Sequence, residues 1–88
     1  MTYSNYPDFL KIEGVDLIVG KLYKTIGFVK DDNIELKSGS IFMLTGIEIP
    51  RDSNDGLIIL TVLYKQHPIT LYFDFQFICG MYIEQIDK

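Results

Sequence analysis

The sequence predicts an all-β protein, a small half-open barrel of five to six antiparallel strands. Short apolar runs are divided by Gly, Asp, Asn and Pro clusters, and no segment keeps a 3.6-residue apolar period over three turns. The length of 88 residues holds one core, so residues 1–88 are read as a single domain.

The elements follow from this punctuation. Residues 6–12 read as one helical turn, with Pro7 preset at its first position and Gly14 ending it. Residues 15–19 form a short strand. Residues 22–29 form a second, with Leu22, Ile26 and Phe28 on one face and Tyr23, Thr25 and Val29 on the other. Residues 30–33 make a turn. Residues 34–37 lead to Ser38-Gly39-Ser40, where Gly39 supplies a positive φ. Residues 41–49 are the third strong strand, and Gly46 inside it signals a bulge. Pro50 stops it and residues 51–56 form an exposed loop. A hairpin then pairs residues 57–64 with 69–75 across a four-residue connection, Lys65-Gln66-His67-Pro68. A tight connection over residues 77–80 and a closing strand over 81–86 complete the chain.

The hairpin carries the main packing inference. A four-residue connection sets Tyr64 opposite Ile69, Val62 opposite Leu71, Leu60 opposite Phe73 and Ile58 opposite Phe75, which makes one dense apolar face. The reverse face holds Thr70, Tyr72, Asp74 and Gln76, but also Leu57, Ile59 and Leu63. The third strand is apolar on both faces in the same way. Strands greasy on both sides need a second cover. Either the N-terminal segment with Phe9, Leu10 and Ile12 folds across that face, or a second copy of the chain does.

Composition excludes several functions. Eight Lys and Arg against 12 Asp and Glu give a net charge of −4, which opposes binding of long nucleic acids. No apolar run approaches the roughly 20 residues of a membrane span, and no secretory signal opens the chain. One cysteine, Cys79, precludes an internal disulfide and suits a reducing, cytoplasmic setting. Catalysis is not expected, because Cys79 lies in an apolar stretch and His67 is the single histidine. No spacing suggests a metal or cofactor. Residues 52–56 look like a calcium-loop fragment without its glutamate, and residues 14–22 fail the phosphate-loop spacing.

Charge is unevenly placed. Residues 11–30 carry Lys11, Lys21, Lys24 and Lys30 against Glu13 and Asp16, whereas residues 31–55 carry six acids against Lys37 and Arg51. Six tyrosines add flat stacking surface, with Tyr23, Tyr72 and Tyr82 assigned to outward faces. The candidate ligand-binding set is therefore Lys11, Lys21 and Lys24 for phosphate and Tyr23 and Tyr72 for base stacking. Arg51, Lys65 and His67 are further candidates.

From Glu35-Leu36-Lys37-Ser38-Gly39-Ser40 into Ile41-Phe42-Met43-Leu44, followed by a loop, a hairpin and a closing strand, the chain resembles an SH3-like small barrel over residues 20–87. It lacks the aromatic first loop and the Trp of a polyproline groove, so that activity is not implied. In length and β-rich character the chain is also similar to small tailed-phage accessory proteins of the anti-CBASS nucleotide-sponge type. That resemblance implies a non-catalytic counter-defence homo-oligomer, sequestering a cyclic dinucleotide at subunit interfaces in a host cytoplasm. It transfers no residue roles. The other reading is a protein-binding adaptor or inhibitor of a host enzyme. It would act through the acidic stretch around Asp31, Asp32 and Glu35 or through an apolar sheet face.

Overall fold

In the computed structural model, which describes residues 4–31, 34–51 and 56–86, the alternating runs become antiparallel sheets that do not close. The strands are β1 (Ser4–Asn5), β2 (Phe9–Ile12), β3 (Val15–Ile18), β4 (Leu22–Thr25), β5 (Val29–Asp31), β6 (Ile34–Leu36), β7 (Ile41–Pro50), β8 (Ile58–Tyr64) and β9 (His67–Phe73). The helix α1 (Gln76–Tyr82) and strand β10 (Ile83–Gln85) follow. The central sheet runs β10-β4-β7-β8-β9, and β1 pairs with the far end of β7. Strands β2–β3 and β5–β6 form two separate hairpins. The expected all-β class with one short helical segment is what the chain adopts.

One face of the central sheet makes the core. Tyr23, Phe42, Leu44, Ile58, Leu60, Val62, Leu71 and Phe73 are buried there in a single cluster with Val15 and Leu17 of β3 and Cys79 of α1. Leu10 and Ile12 pack against the same cluster. The N-terminal hairpin therefore covers the inner face, which corrects the alternative in which Phe9, Leu10 and Ile12 fold across the outer one.

Several local expectations change for identifiable reasons. Residues 9–12 form a strand instead of the expected helical turn, because Phe9, Leu10, Lys11 and Ile12 pair in register with Ile18, Leu17, Asp16 and Val15. The helical segment lies at Gln76–Tyr82 instead, where a tight connection and the start of a strand were expected. Gly80 sits in that helix because a side chain there would collide with the Glu13 carbonyl oxygen and with Gly14 Cα. Its role is close approach between helix and hairpin, with Gly14 at φ +92° on the other side of the contact. The strand expected over 22–29 is interrupted after Thr25. The Thr25 hydroxyl donates to the Lys37 carbonyl at 2.6 Å and accepts from the Ser40 amide at 3.0 Å, tying the strand end to the turn at 37–40.

The hairpin closes over two residues, not four. Tyr64 pairs with His67, Val62 with Ile69, Leu60 with Leu71 and Ile58 with Phe73. Lys65 and Gln66 take φ values of 50° and 69°, the left-handed pair that a two-residue turn demands. The pairing is two residues out from the expected one, so the inward and outward assignments survive. The Gly46 bulge is present as a register shift between Leu44 and Gly46, and Gly39 has φ +88°. Residues 32–33 and 52–55, which hold parts of the expected turn and loop and the calcium-like fragment, lie outside the described residues.

Candidate functional site

The eight candidate ligand residues do not converge. Lys11 and Lys21 line one open groove of about 720 Å³ beside the β2–β3 hairpin, together with Asp16 and Glu84. Two cations and two carboxylates share it, so it offers no net field to an anion. Lys24 of β4 lies directly opposite Glu84 of β10, and the two form an exposed ion pair at 3.1 Å. Arg51 is exposed just beyond β7, and Lys65 and His67 flank the hairpin tip. Tyr72 is exposed on β9, as expected.

Tyr23 is the clear correction. It is fully buried, so it cannot stack on a ligand. Its hydroxyl donates to the Asp16 carbonyl and accepts from the Ile18 amide, both at 2.7 Å, which bolts β4 to β3. Burial raises its pKa above the ordinary tyrosine value. The signal for this was present in the sequence. Lys24 must face water, and strand alternation then drives Tyr23 and Thr25 inward.

Cys79 and His67 provide no nucleophile–base pair. Cys79 is buried, and desolvation pushes its thiol up to about 12, where no thiolate exists near neutral pH. His67 pairs with Tyr64 beside the turn, at the exposed end of the hairpin.

Two features that the sequence reading did not assemble stand out. The first is a rung of apolar side chains across the outer face of the whole central sheet. Met43 lies opposite Leu22 on one side and Leu63 on the other, and Leu63 lies opposite Pro68. At the other end, the Ile86 amide donates to the Leu22 carbonyl at 3.0 Å. The row is thus Ile86, Leu22, Met43, Leu63 and Pro68. Ile41 adjoins it on the same face, Ile59 lies beyond Thr61 in the next apolar position along β8, and Leu22, Ile41 and Ile86 remain between 42% and 56% exposed. The charged strand residues next to it, Lys24 and Glu84, balance each other in their ion pair, although the chain as a whole carries −4.

The second is an acid-free patch at the hairpin tip, where Lys37, Ser38, Ser40, Tyr64 and Lys65 border an open hollow of about 440 Å³. The Lys65 ammonium sits 5.3 Å from the centre of the Tyr64 ring. The neighbouring Ser40 hydroxyl, then Lys65 and Lys37, lower the Tyr64 pKa from its ordinary value.

Comparison of the chain with known protein families, with curated proteins and with solved structures finds no match.

Proposed function

We propose that this chain is a non-catalytic binding module that associates with a second copy of itself through the outer face of its central sheet. The apolar rung from Ile86 to Pro68 carries the reading. A soluble sheet with one face in water alternates apolar with polar, and this face breaks that alternation along a continuous line. Three features favour a second copy as the occupant. A two-fold axis would set the rung against itself, using one patch twice. The balanced border lets Lys24 of each copy meet a carboxylate without like-charge repulsion. Five strands span about 24 Å, and a few rungs of that width approach the roughly 800 Å² per partner of a standard interface once side-chain relief is included.

Sedimentation of the purified chain between about 1 and 100 µM tests this. The wild type should be dimeric or larger over the upper part of that range. Ile41→Glu with Leu22→Glu should return it to a monomer while leaving its circular dichroism unchanged. A wild type that stays monomeric throughout would overturn the reading.

The acid-free tip patch favours a second reading, in which the same module holds a phosphate-bearing ligand of the cyclic-dinucleotide class between Lys37 and Lys65. A ligand bound only by the native state raises the melting temperature. Titration with cyclic dinucleotides should then shift it upward, and Lys37→Ala with Lys65→Ala should abolish the shift. No shift at millimolar ligand would remove this second reading and leave the first untouched.

A further inference from the structure

We propose that the free edge of β9, with the cleft beside it, captures an extended peptide segment as an added strand, its anchor an aromatic or large aliphatic side chain. This site is separate from the outer-face rung.

The edge geometry follows from the hairpin. A two-residue left-handed turn makes its flanking pair, Tyr64 and His67, hydrogen-bonded. Bonded and non-bonded pairs alternate along an antiparallel ladder. Pro68 therefore falls at a non-bonded position, where its missing N–H costs the ladder nothing. Ile69, Leu71 and Phe73 bond to β8, and the N–H and C=O groups of Thr70 and Tyr72 point away from it. No other described strand pairs with this edge. Four backbone groups on alternate residues thus face outward, in the pattern an added strand would satisfy.

A cleft lies beside those groups. Phe28, Val29, Lys30, Tyr72, Ile78 and Tyr82 line a space of about 280 Å³. Phe28, Tyr72 and Tyr82 are 49%, 57% and 37% exposed, and none of these rings stacks on another. Gly27 lies under Tyr82, where a Cβ would stand 3.4 Å from its ring, and the Ile26 amide donates to the Tyr82 carbonyl at 2.7 Å. The far wall is therefore held by the chain itself. An added strand on Thr70 and Tyr72 would project alternate side chains toward the cleft, and these apolar walls would hold one large apolar residue.

A peptide fits this edge better than a second copy does. The usable stretch is short, bounded by Pro68 at one end and the bend after Phe73 at the other. A second copy paired on β9 would also bring its own Phe28–Val29 wall into the same space.

The test uses the full chain labelled with ¹⁵N and soluble nine-residue probes of the form Lys-Thr-Val-Thr-X-Thr-Val-Thr-Lys, with X as Phe, Leu or Gly. The Phe and Leu probes should shift the Thr70 and Tyr72 amide signals and bind at least tenfold more tightly than the Gly probe. Thr70→Pro should weaken the Phe probe at least tenfold, and Phe28→Ser should erase most of the preference for Phe over Gly. N-methylation of the probe at alternate residues tests the same bonds on the unaltered protein and should also abolish binding. Three results would overturn the proposal: no probe bound at millimolar concentration, undiminished affinity for the N-methylated probe, or free phenylalanine amide binding as tightly as the Phe probe. Protection of the Thr70 and Tyr72 amides that rises with protein concentration alone would assign the edge to a second copy and overturn it too.

Discussion

Met43 and Leu44 are neighbours on β7 with similar side chains, yet Leu44 is buried in the core and Met43 lies in the outer rung. The same contrast holds along β8, where Ile58, Leu60 and Val62 are fully enclosed while Ile59 and Leu63 are only partly covered. Both faces of this sheet carry apolar side chains, the outer one along its rung. What separates them is the cover, since the β2–β3 hairpin, Leu36 and α1 close over one face, whereas on the other the segment around Tyr6–Asp8 reaches only the Thr45–Thr61 end. Hydrophobicity alone therefore does not identify a core; it identifies surfaces that require one.

The largest expected effect breaks the covered face. Leu60→Ala should cost about 2–5 kcal/mol, a large share of the 5–15 kcal/mol typical of a whole domain. Ile41→Thr on the outer face should change the monomer's stability by no more than about 0.5 kcal/mol. Urea denaturation of both variants at low protein concentration measures the ratio, and similar losses would erase the distinction between the faces.

A smaller effect sharpens the account of the cover. Gly80→Ala places a methyl group against the backbone at Glu13 and Gly14, so helix and hairpin must separate. The expected loss is about 1–3 kcal/mol. Gly46→Ala meets only Thr61 Cβ at 3.6 Å, an ordinary contact, and should lose clearly less. Equal losses in the two would mean that the α1–hairpin contact is not tight.

The smallest effect at neutral pH concerns Cys79, also part of the cover. Its folded-state pKa of about 12 lies above the ordinary 9.0. Below pH 9 the thiol is protonated in both states and contributes no pH dependence. As pH rises from about 9 toward 12, the unfolded chain loses the proton that the folded chain keeps, so stability falls across that window. Cys79→Ala should remove that part of the alkaline loss, seen as a shallower decline of the urea midpoint between pH 8 and 10.5. An unchanged decline would show that the thiol reaches water in the native state.

Much of the fold was legible because burial in strands has a period of two. The inward set of β8 and β9, the bulge at Gly46 and the turn at Gly39 all follow from local chemistry. The helix at Gln76–Tyr82 did not follow. It is seven residues long, has no side-chain cap, and owes its glycine to a backbone over sixty residues away in sequence. The two-residue turn was missed because Pro68 reads as a strand breaker until one sees that it lies at a non-bonded edge position. The binding surfaces were less legible still. Lys11 and Lys21 do share a groove, but Asp16 and Glu84 reach it from β3 and β10, and only the pairing of strands reveals that. The cleft beside β9 joins residues from β5, β9 and α1, three elements with no local signal linking them.

The turn at Lys65 and Gln66 has a consequence for how the molecule finds its structure. Neither residue is a glycine or asparagine, so the tip does little to choose its own geometry. Sliding one strand of the hairpin by two residues would leave every greasy side chain on the same side as before. Collapse by itself therefore cannot proofread the alignment. That discrimination falls to distant partners, the N-terminal hairpin and the helix, which fit the Ile58–Phe73 ladder in one setting and would find their sockets displaced in the other.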